Sequence, residues 1–170
     1  MIKYNFLMKN LFALLLAGVM MLPAGAQNWQ KDKDTFLAEY CYREKDGKWL
    51  DALTDYKIMT NMPQDDDVVL VYYWRIPEGK VRADMIWTNK YARYVNMHVR
   101  VIRPVTGEVL GENDFSNPDI IAKERTNDLF GTIDFPADEF YRIEITCDKW
   151  NYIKQISNFV FQRESTKPVM

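Results

Sequence analysis

Short runs in which apolar and polar residues alternate recur along this chain and constrain its fold more than any other feature of the sequence. The clearest runs are Val95–Val101 and Tyr141–Cys147, where every second residue is apolar. A period of two is the signature of a β-strand that buries one face and exposes the other. The chain is therefore expected to fold as a set of antiparallel β-strands.

The last part of the chain, Glu139–Arg163, is predicted to form a β-hairpin. Its first strand contains the second of these runs, residues Asp148–Asn151 supply a polar tip, and a second strand returns. In the returning strand Ile156 has the wrong parity to share a face with Phe159, so a β-bulge near Ser157–Asn158 is expected to restore the register. A lone hairpin is at best marginally stable, which places this one on a larger β core.

Turn signals mark the ends of the other strands. Asp46-Gly47 favours the positive φ angles of a tight hairpin turn, and it follows a predicted strand over Thr35–Arg43. Val68–Ile76 is apolar on both faces for most of its length, as expected of a central strand. Because Pro77–Lys80 is a turn signal, Val81–Trp87 is predicted to pair with this central strand as a hairpin.

The second half of the chain continues the pattern. Pro104–Glu108 is predicted to turn the strand that begins at Val95 into a short partner at Val109–Leu110. Gly111–Asp128 is polar and is predicted to be the longest irregular stretch, a loop of a length that often carries function. Leu129–Phe135 is predicted to be one more strand.

About eight or nine short strands separated by turn signals, with no convincing long helix, predict an all-β fold. The favoured architecture is a single antiparallel β-sandwich of the jelly-roll or immunoglobulin-like kind. A lipocalin-like closed β-barrel remains the alternative. The alternating apolar residues expected in one core are Leu70, Tyr72, Trp74, Met85, Trp87, Met97, Val99, Val101, Ile143, Ile145, Phe159 and Phe161.

Residues 1–26 are predicted to be a signal peptide. A basic start is followed by the apolar core Leu11–Leu22 and by the small-residue cleavage site Ala24-Gly25-Ala26. The apolar core is shorter than the roughly 20 residues that span a bilayer, which argues against the alternative of a membrane anchor. Cleavage is expected to leave residues 27–170 as one exported β-sandwich domain, periplasmic, extracellular or on the cell surface, without membrane insertion.

The charge of the chain argues against nucleic acid as a partner. The sequence has 22 Lys and Arg against 24 Asp and Glu. Loss of Lys3 and Lys9 with the signal peptide leaves 20 against 24, a formal net charge of −4. Nucleic acids and anionic membrane surfaces attract basic patches, so neither is expected to bind this protein.

Few residues of the chain are suited to catalysis. His98 is the sole histidine, and neither a Gly-x-Ser-x-Gly nor a Cys-x-x-Cys motif is present. No catalytic residue, metal site or cofactor is therefore predicted. Two alternatives stay open: the many acidic residues allow a carboxylate pair of the kind that glycosidases use, and Asp65–Asp67 offer oxygen ligands to calcium.

Cys41 and Cys147 are the only cysteines. An exported protein enters an oxidising space, so these two residues could form a disulfide. Alternation weakens this expectation, because Cys147 shares a face with apolar Ile145 whereas Cys41 shares one with Glu39 and Arg43. The bridge is left as an open prediction.

Aromatic residues in the predicted loops point towards a function. Trp150, Asn151 and Tyr152 lie at the predicted hairpin tip, and Tyr91 and Arg93 lie in a connector. A flat apolar ring beside hydrogen-bonding groups suits a sugar, which has an apolar face edged by hydroxyls. These five residues are the predicted ligand-binding site. The alternative is that Trp150 folds back and closes the open end of the sandwich.

Taken together, these features predict an exported, non-catalytic binding module that holds a glycan or a protein partner through loop aromatics. The first alternative is a structural or assembly subunit of the bacterial cell envelope that offers a sheet edge or a flat face to another chain. The second alternative is a small glycan-active enzyme.

Overall fold

The computed structural model describes residues 29–31, 38–53, 58–91, 93–117 and 124–164, so the predicted signal peptide lies outside the described residues. The strands are β1 (Trp29–Lys31), β2 (Ala38–Lys45), β3 (Lys48–Leu53), β4 (Val69–Ile76), β5 (Gly79–Asn89), β6 (Val95–Arg103), β7 (Glu108–Asn117), β8 (Glu124–Phe135), β9 (Glu139–Cys147) and β10 (Ile153–Glu164). A 3₁₀ turn (Trp150–Tyr152) separates β9 from β10. Among the described residues no helix has the length and apolar character needed to span a membrane.

The strands form two antiparallel sheets. One sheet has four strands in the order β1-β10-β5-β8, and the other has six in the order β3-β2-β4-β9-β6-β7. Apolar side chains from both sheets are buried together in one core. The predicted β-sandwich is therefore confirmed. The alternative of a lipocalin-like barrel is wrong, because the described strands form two separate sheets rather than one closed sheet.

Alternation decides which side chains enter the core. In β5 buried and half-buried residues alternate from Val81 to Asn89, and β9 shows the same pattern up to Cys147. Eleven of the twelve predicted core residues are buried, and Phe159 packs against the core at partial burial. Fully burying a side chain such as Ile143 stabilises the fold by about 1.5–3 kcal/mol.

Two local predictions are confirmed. Asp46 and Gly47 have φ angles of 51° and 69°, and the residues on either side of them pair with each other. Positive φ at both central positions is the geometry of a type I′ turn. The bulge expected in the last strand is also present, because the pairing of β10 with β5 shifts between Ile156 and Asn158.

The two long predicted hairpins are wrong. Strands β4 and β9 belong to the six-stranded sheet, whereas β5 and β10, which follow them, belong to the four-stranded sheet. The turn at Pro77-Glu78 and the corner at Asp148–Tyr152 thus carry the chain from one sheet to the other. Alternation shows which side chains face inward, but it does not show which strands are neighbours.

The stretch Gly111–Asp128, predicted to be irregular, is mostly strand. Strand β7 continues to Asn117 and β8 begins at Glu124, while residues 118–123 lie outside the described part of the chain. The polar composition reflects exposure, because outward-facing residues of both strands are hydrophilic.

Candidate functional site

Three tyrosines stand together on the outer face of the six-stranded sheet. Tyr40 and Tyr42 flank the inward-facing Cys41 on β2, and Tyr73 of β4 pairs with Tyr40. The ring centroids of Tyr40 and Tyr73 are 4.9 Å apart with their planes at 14°, and those of Tyr40 and Tyr42 are 5.8 Å apart at 17°. We call this stack of nearly parallel rings the tyrosine row.

Exposure differs along the tyrosine row. Tyr40 is 45% exposed and Tyr42 is 8% exposed, while Tyr73 is half-buried. Stacking covers the ring faces that neighbours share, so Tyr40 has the largest accessible surface of the three. A ligand that approaches the row from solvent therefore meets Tyr40 first.

Arg142 of β9 holds the tyrosine row in place. Its guanidinium donates to the hydroxyl of Tyr42 at 2.8 Å and to the carboxylates of Glu44 at 3.0 Å and Glu144 at 2.7 Å. Burial would lower the pKa of Arg142, but hydrogen bonds to Tyr73, Glu144 and Glu44 outweigh burial and raise the pKa. Burial raises the pKa of Tyr42 to about 12, so its hydroxyl stays protonated at neutral pH.

The register of the sheet extends this face towards both edges. Glu44 pairs with Trp49 of β3 and with Val69 of β4, and directly opposed residues share a face. Trp49 is 62% exposed. Near the other edge His98 of β6 pairs with Asp114 of β7. Six adjacent strands separate the two edges by about 24 Å.

A groove with a volume of about 460 Å³ opens at the ends of β6, β7 and β9. It is lined by Asn96, Met97, His98, Asp114, Phe115, Ser116, Thr146, Cys147 and Asp148. The polar members of this set alternate with core residues along each strand, so they lie on the outer face. The groove and the tyrosine row thus belong to the same side of the sandwich.

Hydrogen bonds order the polar side chains of the groove. His98 Nδ1 lies 2.7 Å from Asp114 Oδ1. A carboxylate only accepts hydrogen bonds, so His98 Nδ1 is the donor of this pair. Asp148 accepts from the backbone N–H of Asn96 at 2.9 Å and from its side-chain amide at 2.7 Å. The groove is therefore rich in acceptors held at defined positions.

Trp150, the central residue of the predicted loop site, is not a surface residue. It is 0% exposed, and its indole N–H donates to the carbonyl oxygen of Val68 at 2.7 Å. Its backbone N–H donates to Asp66 at 3.0 Å. The prediction of Trp150 as an exposed contact is wrong, because the 3₁₀ turn directs the indole into the core and closes that end of the sandwich.

The other predicted site residues form a corner around this turn. The rings of Tyr91 and Tyr152 meet edge to face with their centroids 5.6 Å apart, and Tyr91 is 46% exposed. Arg93 and Asn151 are exposed nearby in the chain, and the Lys90 amine lies 5.5 Å from the Tyr91 ring centre. A role in ligand binding stays a prediction for the four predicted residues of this corner, which are Tyr91, Arg93, Asn151 and Tyr152.

The two cysteines are buried and unbridged, so the structure contradicts the predicted disulfide. Both thiols face the core, and distance rather than direction keeps them apart. Cys41 pairs with Tyr72, which pairs with Ile143 on β9, so Cys147 lies two strands away and four residues further along. That offset is about 10 Å across the sheet and about 13 Å along it, whereas bridged Cα atoms lie within about 7 Å.

The acidic loop before β4 is engaged in ion pairs. Asp65 pairs with Lys45, and Asp66 pairs with Lys149 at 2.7 Å. In the described ranges no group of three or more His, Cys, Asp or Glu residues is placed to hold a metal ion. These ion pairs attach the acidic loop to the neighbouring turns, and calcium binding by Asp65–Asp67 stays an open alternative.

The tyrosine row and Trp49 are candidate site residues that sequence reasoning missed. Tyr40 and Tyr42 alternate along β2 as the residues of a core face would, so the pattern does not separate a buried aromatic face from an exposed one. One usable signal was present: Glu44 continues the same face, and an acidic residue rarely enters a core.

Comparison with known proteins gives little likeness in sequence. No protein-family model matches the chain, and no curated protein matches it. Among solved structures the chain is similar to the CBM22-1–GH10 modules of the N-terminal endo-1,4-β-D-xylanase 10B of Clostridium thermocellum, determined with xylohexaose, at 10% identity and a TM-score of 0.42. The similarity covers 80% of this chain and 27% of that chain, so this protein spans about a quarter of the xylanase structure.

Proposed function

We propose that this protein is an exported, non-catalytic binding module that holds a glycan on the outer face of its six-stranded sheet. The observation that carries the proposal is the tyrosine row, in which the exposed ring of Tyr40 stacks on Tyr73 and Tyr42 while the Tyr42 hydroxyl accepts from the ordered guanidinium of Arg142. Apolar faces of sugars pack on aromatic rings, and their hydroxyls bond well to charged donors and acceptors. The row offers both chemistries within one surface.

The rigidity of this surface favours binding. Tyr40 lies on β2 and Arg142 on β9, the two strands that pair with β4. The side chains of Arg142, Glu44 and Glu144 are only 19%, 16% and 16% exposed. A site that is ordered before the ligand arrives loses less conformational entropy on binding than a site on mobile loops. This argument favours the sheet face over the loop residues that the sequence suggests.

The charge of the surface suits an uncharged ligand. Arg142 is paired with Glu44 and Glu144, and Arg100 is paired with Glu112 at 3.1 Å. No unbalanced basic patch results from these groups, and the expected net charge of the mature chain is negative. A nucleic acid would find little to bind here, because its affinity comes mainly from phosphates and basic side chains.

The proposal is tested by calorimetric titration of the purified protein against a panel of soluble glycans. Tyr40→Ala should weaken binding about 5- to 30-fold, the range for loss of an aromatic anchor. Tyr91→Ala is the matched control, because the exposed fractions of Tyr91 and Tyr40 are 46% and 45%. Equal losses in both variants, or no binding by the unmodified protein, would contradict the assignment.

A structural or assembly subunit of the bacterial cell envelope is the second candidate function. Strand β3 is an edge of the six-stranded sheet in the described part of the chain, and it carries Trp49 and Leu50 at 62% and 47% exposure. An edge strand with exposed apolar residues can add a strand from another chain. Sedimentation analysis of the protein and of Leu50→Lys decides this, since assembly through β3 predicts a partner or oligomer that the variant loses.

Export and the lack of catalysis belong to the same proposal. Export is supported by the predicted signal peptide, and an intact mass that retains residues 1–26 after recovery from the native compartment would contradict it. Non-catalysis is supported by the single histidine of the sequence and by its lack of Gly-x-Ser-x-Gly and Cys-x-x-Cys motifs. Turnover of any glycan by the purified protein would favour the third candidate, a small glycan-active enzyme.

A further inference from the structure

The groove beside His98 has the chemistry of a subsite for a neutral, hydroxyl-rich group. Its volume of about 460 Å³ lies within the roughly 300–1,000 Å³ range of ligand pockets. Carboxylates of Asp114 and Asp148 lie in its lining, and the side chain of Asp114 is 83% exposed. Hydroxyl groups of a ligand would donate to these carboxylates, and a hydroxyl, which can both donate and accept, would bond His98 Nε2.

We propose that the groove is a second glycan subsite, which binds one neutral sugar unit through its hydroxyls while the rest of the glycan extends to the tyrosine row. This inference rests on the proposed function. It adds the direction in which the ligand crosses the sheet and the chemical class of the ligand. The glycan crosses the strands obliquely, from β2 and β4 towards β6 and β7.

The register of the sheet supports this path. Tyr73 pairs with Arg142 of β9, and Thr146, four residues further along β9, pairs with His98 of β6. Tyr73 and His98 are therefore separated by about 10 Å across the strands and about 13 Å along them, and Tyr40 lies one strand further away. Arg142 and Glu144 lie between them on β9 and provide hydrogen-bonding groups along the way. Only an oligomer is long enough to reach both subsites.

The charge of the groove restricts the ligand further. Among its lining residues there is no Lys or Arg, while Asp114 and Asp148 are both acidic. A uronate or sulfate group placed there would meet like charges without a basic partner, which is unfavourable. A neutral unit is preferred because its hydroxyls satisfy the acceptors without adding charge.

The test uses a neutral oligosaccharide found in the panel, titrated as a series of increasing length. Asp114→Asn should weaken the longest member about tenfold, as expected for a lost hydrogen bond to a charged group, and should leave the shortest member that binds unchanged. The matched control is Asp134→Asn, at an exposed aspartate on β8 of the other sheet. This variant should change the affinity for neither the longest nor the shortest oligosaccharide. Ser116→Trp, which fills the groove from an exposed position, should reproduce the length-dependent loss.

The outcomes separate this inference from the proposed function. If Tyr40→Ala weakens binding while Asp114→Asn and Ser116→Trp have no effect for an oligosaccharide of any length, the groove subsite is wrong and the proposed glycan site at the tyrosine row is retained. If none of the three variants weakens binding, the groove subsite and the glycan site at the tyrosine row are both wrong. Equal affinity for a uronate-containing oligosaccharide and its neutral counterpart would overturn the neutral assignment. Thermal melts of each variant establish that the fold is retained.

Discussion

Two of the aromatic clusters among the described residues, the corner at Trp150 and the tyrosine row, differ in exposure. At the corner between β9 and β10 the indole of Trp150 is buried and bonded to Val68. On the outer face of the six-stranded sheet Tyr40 is 45% exposed, although it lies in mid-strand and alternates with buried Cys41. The loop aromatic is thus part of the core, and the strand aromatic is part of the surface.

The difference shows that position in a turn is a poor guide to exposure. A short 3₁₀ turn directs one side chain towards the open end of a sandwich, where a large ring excludes water from the core. A strand in the middle of a sheet has one face without a second layer, and its aromatics stay accessible there unless another element covers them. Each cluster accordingly predicts a different response to substitution.

Replacing Trp150 with Ala should have the largest effect on stability. The free energy of unfolding is expected to fall by roughly 3–5 kcal/mol, because a large cavity forms and the carbonyl of Val68 loses its donor. Urea denaturation followed by circular dichroism measures this loss. A loss below about 1 kcal/mol would mean that the indole is not part of the core.

Trp150→Phe separates the hydrogen bond from the packing. Phenylalanine keeps most of the apolar ring but has no N–H, so a cost of about 1–3 kcal/mol is expected from the unsatisfied carbonyl of Val68 together with a small cavity. The same denaturation experiment applies. If Phe costs as much as Ala, the groups that both variants lose, above all the N–H donated to Val68, stabilise the corner, and packing of an apolar ring contributes little.

Each of the two regions has a buried thiol nearby. Both thiols are expected to lower the free energy of unfolding as the pH becomes alkaline. Burial raises the pKa of Cys41, behind the tyrosine row, and of Cys147, before the corner, from 9.0 to about 12. Because the folded pKa is the higher one, the stabilisation is complete below pH 9 and is lost as the pH rises towards 12. Each thiol should add a slope of up to about 1.4 kcal/mol per pH unit in that window.

Single substitutions isolate the contribution of each thiol from that of other groups that titrate in this range. Cys41→Ala and Cys147→Ala should each flatten the fall in unfolding free energy between pH 9 and 12, whatever they cost at neutral pH. Thiol counting provides a second check, since two reactive thiols are expected in the denatured, unreduced protein. An unchanged alkaline slope in both variants would show that the thiols are not desolvated.

Tyr40→Ala should have the smallest effect on stability. Its ring is partly exposed and stacks on Tyr73 without filling the core, so the loss is expected to be below about 1 kcal/mol. Thermal melts run beside the glycan titration measure this directly. A loss as large as that of Trp150→Ala would mean that the tyrosine row is a structural element, and the contrast between the two clusters would disappear.

Part of the candidate site can be predicted from the sequence. Alternation within Val95–Val101 predicts that His98 lies on a polar strand face with Asn96 and Arg100, and His98 lines the groove from that face. Its partner Asp114 was assigned to a loop, because a polar strand at a sheet edge has the same composition as a loop. The tyrosine row escaped prediction because it is assembled from β2 and β4, which are far apart in sequence.

Local sequence patterns predict most of the strands, their inward faces and the Asp46-Gly47 turn. These features depend on neighbours within a few residues, since alternation and positive φ angles are local properties of the backbone. Only the folded structure shows that β4 and β5 belong to different sheets and that Cys41 and Cys147 are far apart. Those outcomes depend on which strands pair and which faces become covered, and the free energy of long-range packing, not local pattern, selects them.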